Sequence, residues 1–170
     1  MSQLKIFSNG KIPDAELTYD ERNINRVNRA EIMAIRSFEK WGVNYVRFGF
    51  DEKEKRVDSQ DWWNIPEVIR NAPDFIVFSR TTCFFEAKGY RGNLKIKIAD
   101  WESYATWNHM MSLYFLACNF DSYRTYLLHF RDLDMYIKSP FTKKGVYDDN
   151  KKPFYIIEEN KLKQINMLKC

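Results

Sequence analysis

Long apolar runs are what this sequence lacks most plainly. Nothing in its 170 residues approaches the roughly 20 consecutive apolar positions that a membrane-spanning helix needs, so no membrane role of that kind is expected. The opening Met1-Ser2-Gln3-Leu4-Lys5 has no signal-peptide profile, and a soluble, cytoplasmic protein is the expectation. Cysteine is scarce: Cys83, Cys118 and Cys170 are an odd set without CxxC spacing, which argues against a disulfide framework or a zinc site and suits free thiols. Histidine is scarcer still. His109 and His129 stand outside any HExxH or Cys-His pattern, so they read as structural and disfavour histidine-based hydrolysis or zinc chemistry. A glycine-rich phosphate loop with its lysine is also missing, which argues against an ATPase.

What is present describes a folded domain. Hydrophobic residues make up 45% and aromatics 16%, enough for a core, and the length suits one domain. The expected plan is a core over about residues 25–130, an N-terminal arm over 1–22 and a C-terminal extension over 140–170. A net charge of +4 comes from 27 basic against 23 acidic residues, a mild excess that permits a polyanionic partner without demanding one.

The informative stretch is Pro73-Asp74-Phe75-Ile76-Val77-Phe78, followed by Cys83-Phe84-Phe85-Glu86-Ala87-Lys88-Gly89. Two β-branched and aromatic runs separated by Ser79-Arg80-Thr81-Thr82 read as paired strands joined by a turn. Side chains alternate along a strand, so Glu86 and Lys88 share one face while Phe85 and Ala87 take the other. Pairing across the turn brings Asp74 towards the same place. Two carboxylates and an ammonium are thus expected to converge at one sheet edge, an arrangement costly to bury unless a divalent cation sits between the acids.

Pro-Asp, a strand and turn, then Glu-x-Lys resembles the motif of the PD-(D/E)XK nuclease superfamily, which includes restriction endonucleases and junction resolvases, and the order of elements resembles that superfamily over residues 25–130. The resemblance implies a restriction-endonuclease-like α/β core, a central mixed sheet flanked by helices. It implies Asp74, Glu86 and Lys88 as catalytic residues, and Mg²⁺ (or Mn²⁺) held by Asp74, Glu86, the carbonyl of Ala87 and, by its place on the first core helix, Glu31. Lys88 would position or deprotonate the attacking water or stabilise charge on the phosphate; a lysine beside metal cations is pushed towards its neutral form, which suits a base. The implied activity is metal-dependent endodeoxyribonuclease action, for instance in the manner of a Holliday junction resolvase acting in recombination or repair as a homodimer on branched DNA. Cleavage of other structured or flapped DNA, or exonuclease action, would use the same core and stays open.

The remaining segments fill in the plan. From Asn23 or Asn25 to about Lys40, Val27, Ala30, Ala34, Phe38 and Trp41 recur at helical spacing, Gly42 closes the helix, and Glu31 falls on or beside the apolar stripe. Val43–Phe50 reads as a strand and Asp51–Arg56 as a solvated charge run. In Asp58–Glu67, Trp62 and Trp63 are read as core rather than as base-stacking groups, and nothing in the spacing of Asp58 and Asp61 adds them to the site. Leu94-Lys95-Ile96-Lys97-Ile98 alternates, offering Lys95 and Lys97 on one face as candidate phosphate contacts, with Arg80 and Arg91 from the neighbouring turns. A second helix is expected to begin with Asp100 near its N-cap and to carry Tyr104 towards the site. Ser112–Cys118 reads as a strand buried on both faces and Thr125–Phe130 as another. Asp132–Ile137 suggests a short helix or turn, Lys143-Lys144-Gly145 a loop, and Phe154–Ile157 with Leu162–Ile165 a terminal hairpin. A composition rich in Asn, Lys and Ile suits an AT-rich bacterial or viral genome. Two other readings stay open: a catalytically silent nucleic-acid-binding or protein-interaction module on the same fold, and an interaction protein of another α/β fold in which the motif is accidental.

Overall fold

β3 (Thr82–Tyr90) is the axis of the structure, a computed structural model that describes residues 19–49 and 59–167, with side chains over 29–49 and 61–165. It is the middle strand of a five-stranded sheet with β1 (Asn44–Arg47), β2 (Phe75–Phe78), β5 (Leu113–Asn119) and β6 (Thr125–His129), in the order β1-β2-β3-β5-β6. All neighbours are antiparallel except β3 and β5, so the sheet is mixed, as expected. That parallel pair needs a crossover, supplied by β4 (Leu94–Lys97) and α4 (Ile98–Met110). The arm up to residue 18, the charge run Asp51–Arg56, Asp58 and Cys170 lie outside the described residues.

Alternation along β3 divides the core in two. Cys83 and Phe85 face α1 (Tyr19–Trp41), whose buried Ala30, Ala34 and Phe38 recur every fourth residue. The alanines let the helix lie close to the sheet, and Phe38 meets the edges of Phe75 and Phe85 at 5.4 and 5.1 Å. Trp41, expected on this stripe, is 43% exposed at the helix end. Gly42 then takes φ +65, a conformation that a Cβ would oppose.

On the other face, Phe84, Phe115 and Leu128 pack beneath Trp101, Tyr104 and Trp107 of α4. Trp101 stacks on Phe115 at 5.6 Å and on Phe130 at 4.4 Å. The helix begins at Ile98, so Asp100 sits inside its first turn rather than at the cap. α2 (Ser59–Asn64) and α3 (Glu67–Arg70) lead into β2, and α5 (Phe130–Ile137) forms the short helix expected after β6.

The C-terminal third corrects the sequence reading. β4 joins β8 (Pro153–Ile157) and β7 (Lys143–Val146) in a second, three-stranded sheet of order β4-β8-β7. Residues 143–145, read as loop, belong to β7, which pairs antiparallel with β8; Gly145 lies opposite Phe154, where a Cβ would come within 2.7 Å of the ring. The expected terminal hairpin does not form either. Residues Glu159–Met167 are a helix, α6, burying Leu162 and Ile165 at helical spacing, while β8 pairs with β7 just before it and with β4 far back in the chain. No helix among the described residues is long and apolar enough to cross a membrane.

Candidate active site

Asp74 precedes β2 by one residue, and the pairing of Phe75 with Phe85 sets it opposite Glu86. Its carboxylate is held there by the backbone: the Ala87 N–H donates to Asp74 Oδ2 at 2.7 Å. The Asp74 carbonyl accepts from the N–H groups of Phe48 and Gly49 at 2.8 and 3.3 Å. Gly49 permits this approach, since a Cβ would lie 3.1 Å from the Pro73 carbonyl oxygen. The strand end after β1 therefore clamps the acid from one side and β3 from the other.

Glu86 pairs in register with Phe115 and Lys88 with Ala117, both on the α4 face, so the two charged side chains point the same way. Glu86 is buried, and its Oε1 accepts from the Tyr104 hydroxyl at 2.6 Å and from Lys88 Nζ at 2.7 Å. Its Oε2 is buried without a hydrogen-bond partner. The cluster lies on the central strand, in the interior of the sheet, rather than at a sheet edge as first read: β1 and β5 flank the β2–β3 pair on either side.

The charges are unevenly balanced. Burial, then the Glu86 charge, pushes the Asp74 carboxyl well above the usual aspartate range, against the pull of Lys88 and the Ala87 N–H. Burial disfavours the Lys88 ammonium, but Glu86 first, then Tyr104, Asp100 and Asp74, outweigh it and hold its pKa well above that of an ordinary lysine. In the metal-free protein Lys88 is therefore charged. Burial and the Glu86 charge push the Tyr104 phenol up as well, so it stays protonated and donates.

The other expected site residues are placed differently. Glu31 is buried on α1, on the opposite side of the sheet, where its carboxylate forms an ion pair with Arg47; its charge reaches Asp74 only as the weakest of the influences on that carboxyl. Arg80 occupies the tip of the β2–β3 turn, at the far end of the hairpin from Asp74, a strand length of about 13 Å away. Arg91 lies just beyond β3 and faces Asp121 at 3.7 Å. Lys95 is exposed on β4, over the Phe154 ring at 4.9 Å and the Tyr147 ring at 5.7 Å, and Lys97 is the residue that opens α4. Trp63, read as core, is 70% exposed. His129 caps α5, accepting from the Arg131 N–H at 3.1 Å, and His109 is exposed, so neither joins the cluster.

Two residues near the site escaped the sequence reading. Asp100 acts on Lys88, and Tyr147, pushed up first by burial, feels the charges of Lys88 and Asp100. The first was legible in principle, since Asp100 stands one helical turn before Tyr104. Tyr147 reaches the site only because β7 and β8 fold back on β4.

Among the described residues no three His, Cys, Asp or Glu side chains converge as a ready metal cage. Asp74 and Glu86, with the orphaned Glu86 oxygen, nonetheless fit a divalent ion of the Mg²⁺ type, which takes one or two carboxylates and completes its shell with water and phosphate.

No protein-family model matches the chain, and no curated protein does. Among solved structures it is similar to a nuclease from a fusselovirus, at 10% identity and a TM-score of 0.49, over 82% of this chain and 84% of that one.

Proposed function

We propose that this chain is a metal-dependent nuclease that hydrolyses phosphodiester bonds in DNA, with an active site of the PD-(D/E)XK kind. The observation that carries the reading is the meeting of Asp74, Glu86 and Lys88 on one face, with a buried Glu86 oxygen lacking a donor. An unpaired buried acceptor is unfavourable by about 1–3 kcal/mol, more for a charged group, and persists where function requires it.

Asp74 and Glu86 are the residues to hold Mg²⁺ or Mn²⁺, with the Ala87 carbonyl as a further oxygen donor; Glu31, on the α1 side and paired with Arg47, is left out of the set. When bound, such an ion acidifies water and neutralises charge on the phosphate. The chain's own groups do the positioning. The Ala87 N–H orients Asp74, Tyr104 fixes one oxygen of Glu86 and leaves the other free, and the Lys88 ammonium stands ready to contact a phosphate oxygen or orient the attacking water. Lys95, exposed on β4, and Lys97, ahead of α4, add positive charge for the phosphate backbone. Cutting of branched DNA by a symmetric dimer is the finer form of the proposal.

The test is cleavage of linear and four-way branched DNA in Mg²⁺, in EDTA, and by Glu86→Gln and Lys88→Met. Cleavage is expected only with metal, and reduced about 100-fold or more by either substitution. Activity that survives both chelation and the substitutions would sink the reading; binding without cutting would select the silent module instead.

A further inference from the structure

α2 carries two adjacent tryptophans, and neighbours on a helix point about 100° apart, so one can bury while the other cannot. Trp62 is half-buried; Trp63 is 70% exposed. Exposure alone is ordinary for a single apolar side chain; what sets Trp63 apart is that it is held. The Arg70 guanidinium lies 4.9 Å from the Trp63 ring centre, and Arg70 is itself braced by donation from Nε to the Ile65 carbonyl at 3.0 Å. An arginine fixed on one side of an exposed indole makes a flat, cationic platform whose remaining surface is open to a second flat group.

The platform is tied to the candidate active site. Trp107 of α4 donates to the Val68 carbonyl of α3 at 2.8 Å, and Asn71 bonds Ser103, the neighbour of Tyr104, at 3.2 Å. From Arg70 the chain runs directly through Ala72 and Pro73 into Asp74. Bases inside a duplex already stack on one another, so a protein platform gains most from a base that is unpaired.

We propose that Trp63, backed by Arg70, stacks on an unpaired base near the scissile phosphate, so that the substrate class is DNA with a single-stranded segment, such as a flap, fork or overhang. This rests on the nuclease reading and adds to it the structure of the preferred substrate. The stacked base needs no sequence identity, because every base has a flat face, while the arginine attracts the adjoining phosphates.

The test measures binding in EDTA, where no cutting occurs, by anisotropy of fluorescein-labelled oligothymidylate of about 15 nucleotides and of a duplex of the same length. Trp63→Ala should weaken single-strand binding about 10-fold or more, Trp63→Phe should keep it within about threefold, and duplex binding should stay unchanged in both. Equal single-strand affinity in wild type and Trp63→Ala overturns the proposal, and is what a tryptophan serving a protein contact would give. Equal weakening of both DNA forms, or failure of the wild type to bind the oligonucleotide, overturns it as well. Wild-type cleavage of linear duplex in Mg²⁺ separates the two levels: if it persists, only the stacking role falls, and if the wild type neither binds nor cuts any DNA, the nuclease reading falls too.

Discussion

Replacing Asp74 by asparagine changes almost nothing in shape and removes one charge. The Asp74 carboxyl is pushed well above the aspartate range by burial and by Glu86, and Lys88 and the Ala87 N–H do not restore it. In the metal-free protein its ionised form therefore opposes folding. Asparagine keeps an oxygen for the Ala87 N–H bond of 2.7 Å, worth about 0.5–1.5 kcal/mol, so the substitution removes the charge and retains the bond. A carboxyl whose folded pKa lies above its unfolded value contributes stability that is fully present below the unfolded pKa and is lost as pH rises through the folded one. The advantage of Asp74→Asn should accordingly be absent in acid, grow from about pH 4 upwards, and level off once the folded carboxyl has ionised.

A gain of about 0.5–2 kcal/mol is expected, the usual size when a strained functional group is relieved. For a chain of this length that is about 1–8 °C in Tm. Circular dichroism melts in EDTA across that pH range measure it. Added Mg²⁺ should raise the Tm of the wild type and leave the variant unmoved, because ligand bound to the native state stabilises it by mass action. DNA cleavage should be lost. A variant less stable than wild type by more than about 1 kcal/mol at neutral pH in EDTA would refute the reasoning, since Lys88 and the Ala87 N–H would then outweigh burial and Glu86.

Two further outcomes follow from the core. Phe38 is fully buried among Tyr45, Phe75 and Phe85, so Phe38→Ala should cost about 3–5 kcal/mol in urea denaturation; a loss under about 1 kcal/mol would mean α1 is not docked on the sheet as described. Burial pushes the Cys118 thiol up to about 12 and raises Cys83, so at pH 8 only about one Cys118 in ten thousand is a thiolate. Iodoacetamide with mass-spectrometric mapping should therefore label both only after unfolding; rapid labelling of either in the native protein would contradict their placement.

How much of this was legible depended on the reach of each interaction. The period of two along residues 83–89 sufficed to set Glu86 and Lys88 on one face, and the Ser79–Thr82 turn sufficed to return Asp74 to them. Helical spacing placed Ala30, Ala34 and Phe38 on the sheet and Glu31 beside them. What escaped were contacts between segments remote in sequence. Arg47 takes Glu31 because β1 pairs with β2 in one register, with Arg47 opposite Phe75 on the α1 face. The second sheet forms because β8 crosses back to β4 and carries its local hairpin partner β7, with Tyr147 beyond it, towards the site. The exposure of Trp63 depends on which side of α2 faces the rest of the fold.

Local backbone geometry thus determined the strand pair, the first helix and the shared face of Asp74, Glu86 and Lys88, because alternation and turns act over a few residues and are written in the order of side chains. Only the tertiary structure decided the second sheet, the free oxygen of Glu86 and the open indole of Trp63. Those rest on which distant surfaces exclude water from one another, a sum over many weak contacts that no single stretch of sequence contains.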